Sequence, residues 1–433
     1  MTHATKKIGF WAVFSLVTGS QIGSGVFLLP ARLSPYGLLS LCGPLIAGLG
    51  AIALSLVFAK LCSWFPKTGG PHVYIQEGFG STAAFFTGWT YWVISWVSTT
   101  VVITASIAYL APLLGVVSPV TLLVLQIILL LLVTALNFRG VSVAGHVEFF
   151  LTALKFIPLF IIPLIALWFF KSSNFVCSPA VADLSLVESI SKVAVIAFWG
   201  FIGLESATTP ASSVENPSKT IPLAVVAGTT TVALLYIFNS LSIMGVVSGV
   251  QLANSATPYA DAVQYVFGGN WHLVISLIAS IVCMGTLNAW MLTSGQIALG
   301  LTQDGLMPVV FGKKNKYDAP YFGLAISCLG IIPLLILMAD KSLTSQISSI
   351  IDVTVASFSL VYAFCSVAFL KIVISKRKEL KGIAFPLVYG IFALLFCVWG
   401  LWQTSCMELG IATLFTLSGL PLYFFADLRG LKA

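Results

Sequence analysis

Charged side chains are scarce along this chain. Asp, Glu, Lys and Arg make up 8% of the residues, whereas 58% are hydrophobic. A soluble domain normally carries about 25% charged residues. Uncharged apolar runs of about eighteen or more residues, long enough to cross a bilayer, recur through the whole sequence. The composition therefore excludes a soluble globular protein and predicts a polytopic membrane protein.

The sequence also lacks the marks of an enzyme. Its four histidines lie in predicted loops or near span ends, and no metal-ligand cluster or Ser/His/Asp set is visible. The eight cysteines are scattered singly and are interpreted as small core residues. Met1–Lys7 is polar and precedes a run long enough to span, so no cleavable signal peptide is expected. We expect no catalysis, no cofactor, no metal and no nucleic-acid partner.

Twelve apolar segments are predicted to cross the membrane as α-helices. They fall at 9–32, 41–64, 83–111, 119–137, 149–170, 190–209, 221–247, 271–300, 321–339, 346–371, 383–402 and 405–425. An even number of spans places both termini on one side. That side holds sixteen Lys and Arg and the other side four, with Lys155 inside a span. This asymmetry predicts cytoplasmic termini in the cytoplasmic (inner) membrane, and residues 1–433 form one transmembrane domain.

Two of the spans contain glycine-rich polar stretches at mid-depth. The first span holds SQIGSG at residues 20–25, and the sixth holds WGFIGLES at residues 199–206. Interrupted helices at matching positions of two repeats indicate a transporter's binding site. A break frees N–H groups that suit a carboxylate and carbonyls that suit an ammonium, and an α-amino acid carries both. The alternative is that Gly and Ser only allow close helix packing.

A third polar interruption, GTLNAW at residues 285–290, is predicted in the eighth span. It ends on Trp290, and Trp199 is likewise central in its own span. Aromatic faces inside a bundle stack on ligands and attract cations. For Trp92 and Trp96 of the third span, ordinary core packing is the favoured interpretation.

Three charged residues lie inside the predicted spans, where charge is costly and usually functional. Glu205 follows the sixth-span break and is a candidate to bind and release a proton as a gate opens. Lys155 lies five or six residues from the predicted start of the fifth span, so the alternative is that it extends to the cytoplasmic interface. Asp352 is expected to line a watery outer vestibule.

Several motifs together resemble the amino acid–polyamine–organocation transporters. They are GSQIGSGVFLLPA near the N-terminus, FWGFIGLESA followed by VENPSKTIPLA, and GTLNAWMLTSGQ with DGLMP. The resemblance runs from Ile8 to about Tyr423. Within the superfamily, the chain is most similar to the basic amino acid/polyamine antiporters, such as the arginine–agmatine and putrescine–ornithine exchangers.

The resemblance implies an all-α, LeuT-like fold with discontinuous helices 1 and 6. Two five-helix inverted repeats would occupy 1–170 and 190–371, with two additional helices at 383–425. It also implies alternating access around a site near the membrane midplane. A homodimer is a candidate assembly.

The resemblance further implies backbone roles at the two breaks. Gly23, Ser24 and Gly25 would hold the substrate carboxylate. Carbonyls near Gln21 and in the sixth span, at Trp199 and Ile202, would hold its amino group.

Side-chain roles follow from the same resemblance. Trp199 matches an aromatic that moves over the substrate, and Trp290 matches a tryptophan that packs against the substrate side chain. Tyr91 and Glu205 match an inner gate.

Some positions depart from the exchangers. Thr99 replaces an asparagine that binds the guanidinium of arginine, which weakens the case for arginine, and His72 replaces a tyrosine. Ser95 and Thr99 are kept as candidate substrate-binding residues. Lys155 resembles a fifth-helix lysine of proton-coupled amino acid permeases, where the ammonium takes the place of a sodium ion and would load and release a proton.

The predicted function is secondary active transport of amino acids by alternating access, through substrate exchange or proton coupling. A cationic amino acid or polyamine is the favoured substrate. The alternative is proton-coupled symport of neutral or broad-range amino acids through Lys155. A non-transporting receptor or a channel is more remote, since no carbonyl-filter sequence or ring-forming charged motif is visible. The expected partners are the small-molecule substrate, protons in the coupled case, and the lipid bilayer.

Overall fold

The computed structural model describes residues 7–115, 118–339, 342–379 and 382–428, without the side chains of 343–349 and 425–428. Within these ranges, twelve helical segments are long and apolar enough to cross a membrane, which confirms the predicted number. Some of the basic residues that predict the orientation lie outside the described residues: Lys6, Lys341, Lys381, Arg429 and Lys432.

The twelve spans are numbered here in chain order. They are Phe10–Leu33, Gly37–Trp64, Ser81–Leu114, Pro119–Asn137, Val141–Phe169, Leu186–Thr208, Pro217–Val246, Trp271–Gln303, Tyr321–Met338, Ile350–Ser375, Ala384–Trp402 and Cys406–Phe424. Three shorter helices lie between spans: Pro71–Phe79, Gly249–Ala253 and Pro258–Phe267.

Several spans consist of more than one helix. Span 1 is split into Phe10–Gln21 and Ser24–Leu33, span 3 into Ser81–Val97 and Thr99–Leu114, and span 12 into Cys406–Leu417 and Leu420–Leu428. Span 6 begins as the helix Leu186–Phe198 and continues as short 3-10 turns. The helix of span 10 starts earlier than its apolar part, at Leu343. The predicted interruptions of spans 1 and 6 are therefore present.

Local sequence signals explain where individual helices begin. In span 6, the Ser185 hydroxyl accepts the Glu188 N–H at 3.3 Å, and the Glu188 carboxylate accepts the Ser185 N–H at 2.9 Å. This reciprocal pair is a capping box. Span 7 starts on Pro217, where a missing N–H costs nothing.

Span 8 differs from the prediction. Its helix runs without a break over Trp271–Gln303, so no interruption exists at residues 285–290. The polar side chains of this stretch, Thr286 and Asn288, hydrogen-bond to spans 1 and 5 instead of replacing hydrogen bonds of their own helix. The polar side chains of span 8 therefore bind groups of neighbouring spans.

The position of Lys155 corrects a second expectation. Span 5 begins at Val141 rather than near residue 149, which places Lys155 fourteen residues into the helix instead of five or six. Its side chain is fully buried and its Nζ is bonded inside the bundle, so the interpretation that it extends to the interface is wrong. The same extension brings Glu148 inside the bundle, where it is also fully buried. The predicted span, 149–170, stops one residue short of Glu148.

Span 1 lies at the centre of the bundle. In the apolar 18-residue stretch of span 1, 89% is buried inside the protein. The corresponding share is 28% for span 11 and 11% for span 12. Span 1 packs on spans 5, 7 and 8. Functional residues are therefore expected around span 1.

The two ends of the bundle are distinguished by backbone bridges. At the end called here the terminus side, Ile8 pairs with the loop after span 6: Ile8 N–H donates to Ser213 O at 2.9 Å, and Glu215 N–H donates to Ile8 O at 3.0 Å. At the opposite side, Tyr36 bridges to Cys177. The predicted sidedness makes the terminus side cytoplasmic.

Candidate functional site

The break in span 1 exposes the start of a helix. The first half-helix ends at Gln21, and the second begins at Ser24, with Gly23 in the N-cap position. The first N–H groups of a helix have no partner within it, and no described side chain caps this one. The N–H groups of Ser24 and Gly25, together with the helix dipole, form a site suited to an anion.

The carbonyl end of the first half-helix is held by side chains from spans 5, 7 and 8. They are Lys155 Nζ at 2.9 Å from Gly19 O, Thr286 Oγ1 at 2.8 Å from Gly19 O and 2.9 Å from Ile22 O, Trp290 Nε1 at 3.3 Å from Ser20 O, and Tyr236 Oη at 2.7 Å from Gln21 O. In this conformation the carbonyls at this end are therefore satisfied by donors from the protein itself.

The break in span 6 lies directly against the break in span 1. Gly203 adopts φ +104°, a backbone conformation that favours glycine. The Ser20 hydroxyl donates to Gly203 O at 2.9 Å and lies 2.8 Å from the Ser206 hydroxyl. Hydrogen bonds therefore join the two breaks to each other.

A small cavity lies between the two breaks. Its volume is about 20 Å³, which is room for about one water molecule and too little for an amino acid. Eleven residues line it: Ser20, Gln21, Gly23, Ser24, Gly25, Ser98, Val102, Trp199, Ile202, Thr286 and Trp290. None of these described lining residues carries a charge. The structure therefore shows the site closed.

Seven of the nine predicted substrate-binding residues line this cavity, all of them in spans 1, 6 and 8. Ser95 and Thr99 of span 3 do not. Their hydroxyls donate to the carbonyls of Trp92 and Trp96 at 2.7 and 2.6 Å.

Span 3 contributes Ser98 and Val102 to the wall instead. A position three residues along a helix lies about 60° around its surface, so a motif alone does not fix which residue faces a cavity.

Glu205 is held by two tyrosines between the cavity and the terminus side. Its Oε1 accepts the Tyr91 hydroxyl at 2.7 Å, and its Oε2 accepts the Tyr362 hydroxyl. The Gly203 N–H donates to the same Tyr362 oxygen at 3.3 Å. The structure thus brings the predicted pair Tyr91 and Glu205 together and adds Tyr362. The available signal for Tyr362 was a hydroxyl in the middle of an apolar span.

Aromatic rings surround this group. The Phe358 ring lies 5.3 Å from that of Trp290 and 5.9 Å from those of Tyr91 and Tyr362. These rings, with Glu205 among them, separate the cavity from the terminus side.

Trp92 and Trp96 pack elsewhere in the core. The ring of Trp92 lies 6.2 Å from that of Trp96 and 5.6 Å from that of Phe311. Neither tryptophan lines the cavity, in agreement with the packing interpretation.

Two further contacts between ionisable side chains lie beyond the cavity. At the terminus side, the fully buried His72 lies 3.1 Å from Asp304 Oδ2, and the pair joins the helix after span 2 to the end of span 8. At the opposite side, Arg32 Nη2 lies 2.7 Å from Asp352 Oδ1, and the pair joins span 1 to span 10. Asp352 therefore has a partner that the sequence analysis did not identify.

Lys155 and Glu148 form a third pair, fully buried beside the span 1 break. Lys155 Nζ lies 3.2 Å from Glu148 Oε1 and 3.2 Å from Thr286 Oγ1. Because Thr286 also lines the cavity, this pair is one residue removed from it.

Comparison with known proteins adds a family to this geometry. Residues 8–418 match the model of the protein family described as "Amino acid permease". The chain is 28% identical over 431 residues to the putrescine transporter PotE of Haemophilus influenzae, with 99% of each chain covered. It is 27% identical over 398 residues to PotE of Escherichia coli, covering 90% of this chain and 91% of the relative. It is 26% identical over 430 residues to the cadaverine/lysine antiporter of Escherichia coli, covering 98% and 95%.

The matches extend over almost the whole chain and include its twelve spans. They confirm the predicted superfamily and the interpretation that the protein is a transporter and not an enzyme. It is a multi-pass protein of the inner membrane. The chain belongs to the amino acid permease family.

Proposed function

We propose that this protein exchanges cationic amino acids or polyamines across the inner membrane by alternating access. The observation that carries the proposal is the meeting of two helix breaks at one cavity, with free N–H groups on one side and backbone carbonyls on the other. Relatives of similar length are a putrescine transporter and a cadaverine/lysine antiporter, which supports a cationic substrate. Cytoplasmic termini, the repeats 1–170 and 190–371 with additional helices at 383–425, and a homodimer complete the proposal.

The backbone of the breaks is proposed to bind the α-amino acid part of the substrate. The N–H groups of Ser24 and Gly25 would receive the carboxylate. The Gly23 N–H would join them after it releases Gln21 O, to which it now donates at 3.1 Å. Carbonyls near Gln21 would receive the ammonium, after Tyr236 releases the one it now holds. The contents of the cavity therefore have to rearrange before substrate enters.

Side chains then define the rest of the site. Trp199 and the Ile202 backbone would close over the substrate from span 6, and Trp290 would pack against its side chain. On span 3, Ser98 and Val102 take the place proposed from sequence for Ser95 and Thr99.

The Glu205 carboxylate with Tyr91 and Tyr362 is proposed as the gate on the terminus side. All three are fully buried, and opening this path requires the phenols to leave the carboxylate. Since a hydrogen bond to a charged group contributes about 1.5–3 kcal/mol, two of them hold the gate shut without making it permanent.

A second candidate function is proton-coupled symport of neutral or broad-range amino acids through Lys155. It is favoured by the uncharged lining of the cavity. Both oxygens of Glu205 also accept hydrogen bonds from tyrosines, so this carboxylate is not free to pair with a second ammonium on the substrate.

Transport by purified protein in liposomes tests the proposal. Liposomes are loaded with unlabelled L-lysine, L-ornithine, putrescine, cadaverine or L-leucine, and uptake of the labelled compound is measured with and without internal substrate. We expect uptake of a cationic compound that requires internal substrate. Uptake of leucine driven by an acidic exterior into empty liposomes would support the second candidate. Binding without flux would indicate a receptor.

Gly25→Leu tests the anion site directly. A Cβ at Gly25 would lie 2.9 Å from Tyr236 Oη and 3.0 Å from Gly200 Cα, so a leucine fills the space in front of the free N–H groups. We expect lysine exchange to fall to background while the protein still elutes as a single folded species. Gly410→Leu in span 12 is the matched control, because nothing lies within 4 Å of a Cβ there. Wild-type exchange by Gly25→Leu would contradict the site.

A further inference from the structure

Spans 1, 5 and 8 enclose an ion pair that the transport proposal does not yet use. Glu148 and Lys155 lie seven residues apart on span 5, about two helical turns, and both side chains are fully buried. Buried charges are costly unless they are paired and fully hydrogen-bonded. The hydrogen-bond partners around each group indicate which charge state they favour.

The partners of Lys155 match a charged ammonium. An ammonium has three N–H donors and no acceptor. Lys155 Nζ has three acceptors: Gly19 O at 2.9 Å, Glu148 Oε1 at 3.2 Å and Thr286 Oγ1 at 3.2 Å. The Thr286 hydroxyl points its own hydrogen towards span 1, which leaves its lone pairs for Lys155. A neutral amine would direct a lone pair at one of these acceptors.

The partners of Glu148 match an ionised carboxylate. Its Oε1 accepts from Lys155 and from the Thr152 hydroxyl at 3.1 Å, and its Oε2 accepts from Asn288 Nδ2 at 3.1 Å. The Asn288 amide is oriented by Asn137, whose Nδ2 donates to Asn288 Oδ1 at 3.1 Å. Both carboxylate oxygens therefore face donor groups, and this surrounding favours the ionised carboxylate.

Few other titratable groups act on this pair. Besides Glu148, the described titratable group that interacts with Lys155 is the Cys283 thiol of span 8. His146, on the same helix, is exposed and bonds to Ser142 O. A Cβ on Gly19 of span 1 would lie only 2.0 Å from Glu148 Oε1, so span 1 itself covers the carboxylate.

We propose that Glu148 is a positioning residue that keeps Lys155 charged throughout the cycle. Lys155 then acts as a fixed cation that ties the first half-helix of span 1 to spans 5 and 8, and this pair carries no proton across the membrane. The inference rests on the proposed transport function and bears on its coupling, because a permanently charged Lys155 cannot be the proton carrier on which the symport candidate depends.

The pH dependence of exchange in Glu148→Gln tests this role. Exchange of labelled L-lysine and of putrescine is measured with equal internal and external pH, across about pH 5 to 8. The variants are Glu148→Gln, Lys155→Met, the double variant Glu148→Gln/Lys155→Met, and Glu215→Gln, an exposed glutamate, as matched control. We expect the control to follow the wild type. In Glu148→Gln the rate of exchange should change with pH by up to about tenfold per pH unit, which is the limit for one titrating proton. The double variant should not show this added pH dependence.

A second readout does not depend on substrate. Melting temperatures of the same proteins in detergent are recorded over the same pH range through tryptophan fluorescence. In Glu148→Gln, Lys155 has lost its counter-charge, and unfolding then takes up a proton. We expect its melting temperature to rise with pH relative to wild type, and the double variant to remove that slope. Asn288→Ala, which removes one donor from Glu148, provides a milder change if Glu148→Gln does not fold.

The outcomes separate the two claims. The inference is overturned if Glu148→Gln keeps the wild-type pH profile in both readouts. It is also overturned if wild-type exchange already depends on pH and Lys155→Met alone removes that dependence. If the wild type exchanges neither L-lysine nor putrescine, the proposed function fails. The pH dependence of the melting temperatures then still tests the role of Glu148.

Discussion

Glu205 and Glu148 are both fully buried in the same bundle, yet they are held in different ways. Glu205 accepts hydrogen bonds from two uncharged phenols, those of Tyr91 and Tyr362. Glu148 accepts from an ammonium, a hydroxyl and an amide, with Lys155 as its counter-charge. One carboxylate lies between the cavity and the terminus side, and the other lies behind span 1.

This difference shows which contacts are able to change during transport. A phenol that turns away from Glu205 leaves no second charge behind, and water entering an open path can replace it. Separating Glu148 from Lys155 would leave two unpaired charges in the interior, which costs several kcal/mol. We therefore expect the Glu205 group to move during the cycle and the Glu148 pair to stay intact.

The largest expected effect concerns stability. Lys155→Met leaves Glu148 buried without its counter-charge and should lower the free energy of unfolding by about 3–5 kcal/mol. Glu205→Gln keeps an acceptor for one tyrosine and loses the other hydrogen bond, so it should cost about 1.5–3 kcal/mol. Denaturation in mixed detergent micelles measures both. Equal losses in the two variants would remove the proposed distinction between the carboxylates.

An intermediate effect concerns the conformation of the gate. Tyr362→Phe removes one hydrogen bond to Glu205, worth about 1.5–3 kcal/mol, and should shift the population towards a state open at the terminus side. The readout is labelling of Ser98→Cys by an impermeant thiol reagent, in a background where the exposed Cys177 and Cys406 are alanine.

We expect labelling from the terminus side to rise by about tenfold or more. Tyr259→Phe is the control, because that buried hydroxyl bonds to none of the described residues. Faster labelling in Glu148→Gln than in Tyr362→Phe would reverse the assignment of the moving and the fixed carboxylate.

The smallest effect is expected for the ion pair at the opposite side. The Arg32 and Asp352 side chains are 20% and 44% exposed. Exposed pairs contribute about 0–1 kcal/mol and are weakened by salt. Arg32→Gln should change the free energy of unfolding by no more than that, in the same assay at low and high salt. A loss as large as that of Lys155→Met would show that exposure does not explain the difference between the pairs.

The fold was largely predictable because lipid restricts the alternatives. Apolar runs indicated all twelve spans. A single segment can make all its backbone hydrogen bonds inside the bilayer only as an α-helix. Glycine and serine at mid-depth indicated the two breaks, and most of the residues predicted from them line the cavity.

Other features could not be read from the sequence for physical reasons. The predicted span 5 excludes Glu148 because an apolar run was ended at the first charged residue. Only the buried contact with Lys155 shows why the helix continues through this charge. Thr286 and Asn288 were taken to interrupt span 8, but their polar groups are satisfied by other spans. Whether a polar residue breaks its own helix or supports another depends on contacts between distant segments.

The contact between Gly19 and the ion pair predicts a pattern for which the sequences of relatives can be searched. Any side chain at that position would collide with the Glu148 carboxylate. Glycine at 19, glutamate at 148 and lysine at 155 should therefore vary together, and a lineage that gains a side chain at 19 must first give up the acid. This three-residue pattern offers a way to sort permeases with a fixed cation from those in which the fifth-span lysine stands alone.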